Sequence, residues 1–271
     1  MRTRIPVIGV VGFRKSGKTT VVEGLVGELT KRGYSVATAK HISQKSFSMD
    51  VKGKDTWRHA VAGANPVIGV SDTKTSVQIK NGMNRFSLNE LLEFTPKADL
   101  ILLEGFSRIV LSNEHLGKIF CVRNTSEYEN FKKKTRGEPI AFCSLQPLED
   151  PILKTKEALH ILVKRVLTYV DRERKILKIL SCLPRLDCKK CGYASCEEMA
   201  SAVYEGRAKM SDCVVLKVRS ELKTEITVHD AEVPIQPFVS EVIRNSVLGM
   251  VSSLKGISVK GDERVHIKIS G

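Results

Sequence analysis

The sequence lacks any run of about 18 uninterrupted apolar residues, which is the length that a membrane-spanning helix requires. Its apolar N-terminal stretch, MRTRIPVIGVVG, leads directly into a glycine-rich turn and contains no small-residue cleavage site of the kind that ends a signal peptide. We therefore interpret this stretch as the first strand of a folded domain. The expected location is cytoplasmic, with no membrane contact.

Aromatic residues are scarce, at 6% of the chain, and they are not interleaved with a stripe of basic residues. This scarcity argues against a nucleic-acid surface built on base stacking. Residues 1–180 contain 31 Lys and Arg against 18 Asp and Glu, whereas residues 181–271 contain 13 against 12. The positive field of the first 180 residues suits a phosphorylated ligand or an acidic partner protein, and a merely basic surface is the alternative.

The seven cysteines are an odd number, and without a secretion signal they do not indicate a disulfide framework. Cys121 and Cys143 lie in apolar, strand-like runs, where a cysteine behaves as a small buried hydrophobic residue. Cys182 stands apart and is assigned no role. The remaining four cysteines form a cluster near residue 200.

Short apolar strands alternate with amphipathic helices through the first 180 residues. This alternation predicts an α/β fold of the P-loop NTPase type, in which helices cover a layered, mainly parallel sheet. The predicted strands are Ile5–Val11, Tyr34–Ala39, Pro66–Val70, Ser76–Lys80, Asp99–Glu104, Lys118–Val122 and Pro139–Cys143. The predicted helices are Thr19–Lys31, Asp55–Ala62, Leu88–Phe94, Ser126–Lys134 and Leu153–Ile179, the last with a break near Asp171.

The residues beyond the cysteine cluster form a further set of predicted elements. Val214–Val218, Glu225–Val228 and Val265–Ile269 are predicted strands, and they flank a predicted helix over Pro237–Leu254. This pattern predicts a small α+β segment at the C-terminal end of the sequence.

A phosphate-binding loop follows the first predicted strand, where the sequence reads GFRKSGKTT. A glycine, any four residues and Gly-Lys-Thr stand between a strand and a helix, as such loops require. Backbone N–H groups of the loop close around phosphate oxygens, and the helix N-terminus adds positive potential. Lys18 is expected to reach the β- and γ-phosphates, and the Thr19 hydroxyl is expected to bind Mg²⁺. The residues of the predicted loop are Gly12, Phe13, Arg14, Lys15, Ser16, Gly17, Lys18, Thr19 and Thr20.

The buried strand DLILLEG supplies the second half of the predicted nucleotide site. Ligands bind outside the carboxyl ends of parallel strands, so Glu104 is expected near Mg²⁺, whereas Asp99 begins the strand at the opposite end. The guanine-reading string Asn-Lys-x-Asp is missing. Arg123 and Asn124 follow a late strand and are candidates to contact a base, although a loop Asn is more often a turn residue. Chemistry alone therefore leaves both GTP and ATP open.

Several strings of the first 145 residues together resemble the MobB-type accessory proteins of molybdopterin-guanine dinucleotide biosynthesis. They are GFRKSGKTT, the strand-end Lys40 and His41, Asp50, GKDT at 53–56, Arg58, AGA at 62–64 and DLILLEGF at 99–106. The resemblance implies a GTP-binding protein that helps a nucleotidyltransferase attach GMP to molybdopterin.

The same resemblance implies roles for individual residues. Gly12–Thr20 would hold the phosphates, and Lys40 and His41 would lie near them at the end of the second strand. Asp50 would join Glu104 around Mg²⁺. From the residues alone, a strand-end role for His41 and a solvated loop position for Asp50 are the alternatives. The sequence departs from the family's His-rich stretch, since ISQKSFSM follows His41, and this departure argues against a metal or phosphate role for that loop.

The cysteine cluster has the spacing Cys-x2-Cys-x4-Cys-x16-Cys, formed by Cys188, Cys191, Cys196 and Cys213. Four thiolates can complete a tetrahedral zinc site or hold the four corners of an iron–sulfur cluster. Structural zinc commonly uses two CxxC pairs, whereas here the last cysteine stands alone and no histidine lies within the cluster. These features favour iron–sulfur over zinc.

The string LPRLDCKKCGYASCEEMASAVYEGRAKMSDC contains all four cysteines. Over about residues 175–215 it resembles the four-cysteine 4Fe-4S domain of corrinoid iron–sulfur proteins and of ion-translocating electron-transport subunits. The resemblance implies a small, mostly helical iron–sulfur domain in which the four thiolates hold a 4Fe-4S cluster.

Three predicted domains follow: a P-loop nucleotide-binding domain over 1–170, a four-cysteine 4Fe-4S domain over 171–215 and a small α+β segment over 216–271. The predicted function is a GTP-binding accessory role in maturation of the molybdenum or tungsten cofactor to its guanine dinucleotide form, with at most weak GTPase activity. The expected cofactors are GTP, Mg²⁺ and a 4Fe-4S cluster. The expected partners are the molybdenum cofactor nucleotidyltransferase and molybdopterin or its guanine dinucleotide, and a homodimer stays open.

Two other classes of function are compatible with the same motifs. A P-loop NTPase that assembles a metallocluster or a redox enzyme would use the cluster as cargo or as an electron relay. A small-molecule kinase is the second class, and an arginine-rich lid would support it, but the sequence offers no clear candidate for such a lid.

Overall fold

A computed structural model of the chain describes residues 3–44, 50–80, 87–95, 97–220, 224, 226–228, 231–233 and 235–254. The chain divides into two compact units, Met1–Leu177 and Lys178–Gly271. The three domain boundaries inferred from the sequence stay predictions. None of the helices in the described ranges is both long enough and apolar enough to cross a membrane.

The strands of the first unit are β1 (Val7–Gly12), β2 (Val36–Lys40), β3 (Val67–Val70), β4 (Thr75–Gln78), β5 (Leu100–Glu104), β6 (Gly117–Cys121), β7 (Ala141–Ser144) and β8 (Ile152–Lys154). Six of them form one sheet in the order β2-β5-β1-β6-β7-β8, and every neighbouring pair in it is parallel. Parallel neighbours end at the same edge of a sheet, so the chain segments that follow β1, β2, β5 and β6 lie side by side.

The helices that begin in the first unit are α1 (Lys18–Lys31), α2 (Asp55–Val61), α3 (Leu88–Glu93), α4 (Ser107–Ser112), α5 (Thr125–Lys134) and α6 (Leu159–Ser181). One apolar core lies under α1 and α6, where Leu25 and Val166 are fully buried. A second core takes Leu92, Val110 and Phe131 from α3, α4 and α5. Alternate residues of the strands belong to the two cores, as in a sheet covered on both faces. The predicted α/β class with a mainly parallel sheet is confirmed.

The strands β3 and β4 form a separate antiparallel pair, with Val67 opposite Gln78 and Val70 opposite Thr75. The hairpin follows α2 in the chain, and the Gly69 backbone lies against the Thr56 side chain of that helix. Both strands were expected from the sequence. Their antiparallel pairing explains why the sheet content of the unit is mainly, but not wholly, parallel.

Two details of the predicted helix Leu153–Ile179 are wrong. Its first residues belong to β8, an edge strand that pairs with β7 in the register Cys143↔Leu153, and the helix begins only at Leu159. The helix then passes Asp171 without a break and ends at Ser181. No Pro or Gly interrupts it, so a charged residue in the exposed stripe does not end it.

The second unit contains α7 (Cys196–Tyr204), α8 (Val214–Ser220), β9 (Thr227–Val228), β10 (Ala231–Glu232) and α9 (Pro237–Ser252). The cysteine region contains the helix α7, in agreement with the predicted mostly helical domain, and β9 pairs with β10 antiparallel. The predicted strand Val214–Val218 is wrong, since these residues lie in α8 and Lys217 N–H donates to the Cys213 carbonyl. The predicted strand Val265–Ile269 lies outside the described residues.

Candidate functional site

The phosphate-binding sequence forms a tight turn between the end of β1 and the start of α1. Lys15 and Gly17 have φ values of 62° and 90°, a backbone conformation that glycine adopts without strain. Gly17 is the N-cap of α1 and provides no side-chain hydrogen bond to the helix. The first N–H groups of α1 and its positive dipole end therefore face the turn, where an anion would be stabilised.

Lys18 folds back over this turn. Its Nζ donates hydrogen bonds to the carbonyl oxygens of Gly12, at 3.0 Å, and of Phe13, at 2.6 Å. The ammonium group is thereby held across the mouth of the turn. A phosphate bound by the turn would lie next to it.

Three polar side chains meet beside the turn. The Thr19 hydroxyl donates to Glu104 Oε1 at 2.8 Å, and Lys40 Nζ lies 2.9 Å from the same oxygen. Lys40 and Glu104 are paired in the register of β2 and β5, so the two strand ends bring them together. Glu104 is buried, whereas about half of the Lys40 side chain is exposed.

One open pocket of about 1000 Å³ covers this edge of the sheet. It is large enough for a nucleotide, since ligand pockets of this kind measure about 300–1,000 Å³. The sequence-predicted residues that line it are Gly12, Arg14, Lys15, Ser16, Gly17, Lys18, Thr19, Thr20, Lys40, His41 and Glu104. The structure therefore brings together most of the predicted site.

Two predicted site residues do not line the pocket. Phe13 packs against Phe131, with ring centroids 5.6 Å apart, and the Arg123 guanidinium lies over its ring. The Asp50 carboxylate accepts hydrogen bonds from the Thr56 hydroxyl and from the Val51 N–H. A place for Asp50 beside Mg²⁺ stays a prediction.

His41 and Asn124 have structural partners of their own. The His41 N–H donates to the Glu104 carbonyl at 2.9 Å, and its ring lies 5.7 Å from that of Phe106. Asn124 is the N-cap of α5 and accepts from Glu127 N–H, which is the role of a turn residue. The hydrogen bond from Arg123 to the Glu127 side chain raises the pKa of Arg123 above its ordinary value.

The pocket also contains residues for which no role was predicted. Leu145 follows β7 and packs directly on Gly17, while Ser43, Gln44 and Gly105 follow β2 and β5. All four come after strand ends at the same edge of the sheet. Their position directly after a strand was therefore the only feature of the sequence that could have predicted them as pocket residues. None of these residue types is distinctive of a binding site by itself.

Cys121 and Cys143 lie side by side in the register of β6 and β7, and both are buried. Burial raises the pKa of both thiols, that of Cys143 to about 12. A thiol that stays protonated is a poor nucleophile and a poor metal ligand. The prediction that these two cysteines are small buried hydrophobic residues is confirmed.

Four of the cysteines of the second unit, Cys188, Cys191, Cys196 and Cys213, line one small cavity, together with Pro184, Asp187, Lys189, Tyr193, Ser195, Met199 and Val214. Cys196 and Cys213 are buried, whereas Cys188 is exposed. In the part of the chain that the structure describes, no group of three or more His, Cys, Asp and Glu side chains is placed to hold a metal ion. Two observations support the fit of an iron–sulfur cluster. The four cysteines share one cavity, and cysteine thiolates are the ligands that bind such clusters.

The loop that holds the first two cysteines is tightly wound. Arg185, Asp187, Lys189 and Gly192 all have φ values between 45° and 86°. Asp187 Oδ1 accepts a hydrogen bond from the Cys196 N–H at 2.7 Å, which ties the loop to the start of α7. Burial raises the pKa of the Cys196 thiol, and backbone N–H groups near it partly oppose this effect.

Two sequence families match the chain. The profile of the family described as "Molybdopterin guanine dinucleotide synthesis protein B" matches residues 7–144, which include the whole phosphate-binding turn and Glu104. A profile described as "Putative Fe-S cluster" matches residues 183–215, which include the four clustered cysteines.

Individual relatives are similar over different parts of the chain. A "Putative molybdopterin-guanine dinucleotide biosynthesis adapter protein" of Methanocaldococcus jannaschii is 27% identical over 97% of this chain and 98% of its own length. A "Molybdopterin-guanine dinucleotide biosynthesis adapter protein" of Haemophilus influenzae is 36% identical over 40% of this chain and 61% of its own length. The crystal structure of Bacillus subtilis MobB is 22% identical and covers 61% of this chain and 98% of that chain, with a TM-score of 0.47.

Proposed function

Because the chain belongs to the family of molybdopterin guanine dinucleotide synthesis protein B, we propose that it is a nucleotide-binding adapter in the synthesis of that dinucleotide. Its nucleotide is GTP, bound with Mg²⁺. Its partner is the nucleotidyltransferase that attaches GMP to molybdopterin. Relatives that are named as biosynthesis adapter proteins support this proposal.

The observation that carries the proposal is the turn between β1 and α1 with the group of side chains beside it. Lys18 Nζ is held at the mouth of the turn by the Gly12 and Phe13 carbonyls, where it would contact the outer phosphates. The Thr19 hydroxyl donates a hydrogen bond to Glu104 at the adjacent edge, and the presence of these two oxygen atoms there supports a site for a divalent cation. Oxygen donors next to phosphates are the environment that Mg²⁺ requires.

Mg²⁺ bound there would neutralise part of the charge of the phosphates. The chain's own groups bind and orient the nucleotide: the N–H groups at the start of α1 and Lys18 hold its phosphates. We assign at most slow GTP hydrolysis to this site. The principal role is to deliver a nucleotide or a cofactor to the partner enzyme.

The proposal is tested by reconstitution with the nucleotidyltransferase of the same organism, molybdopterin, molybdate, GTP and Mg²⁺. The yield of the guanine dinucleotide is measured with and without the chain at limiting GTP. The wild-type chain is expected to raise the yield, and Lys18→Ala is expected to raise it much less. The exposed Lys31→Ala variant, which changes the far end of α1, should behave as the wild type. If the chain neither changes the yield nor binds the transferase, the adapter proposal is wrong.

For the second unit we propose a 4Fe-4S cluster held by Cys188, Cys191, Cys196 and Cys213. The shared cavity and the thiolate donor set support this proposal. When bound, such a cluster can accept or release one electron. The thiolates would also hold together the loop before α7, α7 itself and the turn before α8, which stabilises the unit.

The cluster proposal is tested by anaerobic purification and analysis of iron, sulfide and zinc. The wild type is expected to contain about four iron and four sulfide per chain, since that is the composition of the cluster. Cys191→Ser should lose most of this iron. Cys182→Ser is the matched control, because Cys182 is exposed and does not line the cavity. Zinc in place of iron and sulfide would contradict the proposal.

A further inference from the structure

Lys40 contacts the two oxygen atoms that the proposed function assigns to Mg²⁺. Its Nζ lies 2.9 Å from Glu104 Oε1 and 3.3 Å from Thr19 Oγ1, and those two oxygens are themselves 2.8 Å apart. The ammonium group thus closes a triangle with both oxygens. A positive charge in this position compensates the carboxylate of Glu104, which is buried.

A magnesium ion bound to these two oxygens would compete with the ammonium group for them. Mg²⁺ binds oxygen at about 2.0–2.1 Å and requires near-octahedral space around it. An ammonium group held on the same two atoms would then be only a few ångströms from a divalent charge, and repulsion between charges at such a distance is strong outside bulk water. Binding of the metal therefore requires Lys40 to leave the triangle.

Lys40 is able to leave. It is the last residue of β2, and 54% of its side chain is exposed, whereas the Glu104 side chain is 10% exposed. A lysine stem is flexible and carries its charge as a compact, easily moved group. Lys40 also lines the pocket that contains the phosphate-binding turn. Phosphate oxygens bound there would give the displaced ammonium a new partner.

We propose that Lys40 is a built-in cation that occupies the Mg²⁺ position until a nucleotide arrives, so that metal and nucleotide bind together. The inference rests on the proposed function, because it takes Thr19 and Glu104 as the residues that face the metal. Without phosphates, a divalent cation must displace Lys40 and leave its charge with no partner. With phosphates present, Lys40 exchanges the Glu104 carboxylate for a phosphate as its anionic partner. Metal binding then requires little free energy to displace Lys40.

The test measures binding of Mn²⁺, used as a spectroscopic substitute for Mg²⁺, to the full chain in the absence of nucleotide. Free Mn²⁺ is followed by electron paramagnetic resonance. Lys40→Met keeps the length of the side chain and removes its charge, so it is expected to bind Mn²⁺ about tenfold more tightly than the wild type, or tighter. Lys40→Arg keeps the charge and is expected to bind as weakly as the wild type.

Two control variants test whether the gain in Mn²⁺ affinity depends on the contacts of Lys40 with Thr19 and Glu104. Lys15→Met removes the same charge from the same pocket, but Lys15 forms no hydrogen bond or ion pair with Thr19 or Glu104, so it should change Mn²⁺ affinity less than threefold. Lys40→Met combined with Glu104→Gln should lose the gained affinity. Thermal unfolding of each variant checks that it is folded.

The proposal is wrong if folded Lys40→Met binds Mn²⁺ no more tightly than the wild type, including the case in which neither binds measurably. It is also wrong if Lys15→Met gives the same gain, because the effect would then be a general one of pocket charge. Since no nucleotide is present, these outcomes are independent of GTP binding. Failure of the proposed function would instead appear as unchanged GTP affinity in Lys18→Ala.

Discussion

Gly12 stands where the phosphate-binding turn leaves β1, and the turn has no room for a side chain there. A Cβ at this position would lie 2.3 Å from the Cys121 carbonyl oxygen and 2.5 Å from Ser16 Oγ. The first of these atoms belongs to the backbone of β6 and cannot move freely. Gly12→Ala is therefore expected to shift the turn, to weaken GTP binding at least about tenfold and to reduce the free energy of unfolding by about 1–3 kcal/mol.

Gly27→Ala is the matched control for this prediction. Gly27 lies inside α1, and nothing lies within 4 Å of the position that its Cβ would take. Alanine there should stabilise the protein by about 0.5–1 kcal/mol through its higher helix propensity and leave GTP affinity unchanged. Calorimetric titration and urea unfolding measure both quantities. Equal GTP affinity in the Gly12 and Gly27 variants would contradict the steric argument.

Lys118 places an ammonium group in the interior, where the residue is 2% exposed and its Nζ donates to the Leu116 carbonyl. Burial lowers the pKa of Lys118 from its ordinary value of 10.5, and the nearby Glu114 carboxylate opposes this effect. The folded protein therefore releases this proton at a lower pH than the unfolded chain does. Between the two pKa values unfolding takes up a proton, so the free energy of unfolding rises with pH there.

The comparison of Lys118→Met with the wild type tests whether Lys118 makes the free energy of unfolding rise with pH. The variant cannot titrate at this position, so any stability advantage that it has at pH 7 should shrink as the pH rises towards 10. Urea unfolding of both proteins at pH 7 and at pH 10 gives the difference. An advantage that stays constant or grows with pH would show that the Lys118 pKa is not lowered by folding.

At the residue scale, the sequence predicted the groups whose chemistry is tied to a fixed spacing. Lys18 and Thr19 belong to a motif whose order and context determine their positions, and Glu104 follows from the rule that ligands bind at the carboxyl ends of strands. Leu145 has no such signature, because a leucine after a strand is usually core. The contacts of Phe13 with Arg123 and Phe131 join distant parts of the chain and leave no local pattern.

In addition to its apolar packing, the helix α6 is hydrogen-bonded to backbone groups at the edge of the sheet through the hydroxyl group of Tyr169. Tyr169 accepts a hydrogen bond from the Gly117 N–H at 2.8 Å and donates to the His115 carbonyl at 3.0 Å, just before β6. Tyr169→Phe leaves these two backbone groups without that partner, so the free energy of unfolding is expected to fall by about 1–2 kcal/mol.

Tyr128→Phe serves as the control for that substitution. The Tyr128 hydroxyl forms no hydrogen bond with any residue that the structure describes, and its ring packs edge-on against Phe142. Its removal should change the free energy of unfolding by less than about 0.5 kcal/mol. Urea unfolding compares both variants with the wild type, and an equal effect of the two would contradict the assignment of Tyr169 as a tie between helix and sheet.

At the element scale, most buried strands and amphipathic helices were predicted to within a few residues because their periodicity is local, whereas the short helix α4 was not predicted. The errors occurred in segments where no local hydrophobic periodicity distinguishes a helix from a strand. Ile152–Lys154 is a strand of three residues that exists through pairing with β7. Val214–Val218 contains three β-branched valines, yet it follows a 3₁₀ turn that ends at Asp212 and continues as α8. β-propensity is weak wherever no neighbouring strand is present to pair with.

At the scale of the whole molecule, each candidate site is built from residues of one compact unit. The phosphate-binding turn lies within Met1–Leu177, and the cysteine cavity lies within Lys178–Gly271. Cys191→Ser is therefore expected to lose iron while its affinity for GTP stays within about twofold of the wild type. Iron analysis and calorimetric titration on the same preparation measure both properties. A joint loss of iron and GTP affinity would show that the two sites are coupled.

The order of the strands in the sheet could not be predicted from the sequence. The pattern of strands and helices gave the α/β class, since each element carries its own apolar spacing. The order β2-β5-β1-β6-β7-β8 depends on pairings between segments far apart in the chain, such as Lys40 with Glu104. That pairing brings Lys40 within hydrogen-bonding distance of the proposed metal ligands, and only the folded structure shows it.

The proposed function depends on binding of a guanine nucleotide by the turn at the start of α1, through Lys18. The most direct measurement is calorimetric titration of GTP with Mg²⁺ into the wild type, Lys18→Ala and Lys31→Ala under identical conditions. We expect the wild type and Lys31→Ala to bind GTP equally and Lys18→Ala to bind it at least about a hundredfold more weakly, since a charge-assisted contact to phosphate is lost. Equal GTP affinity in Lys18→Ala and the wild type would contradict the account.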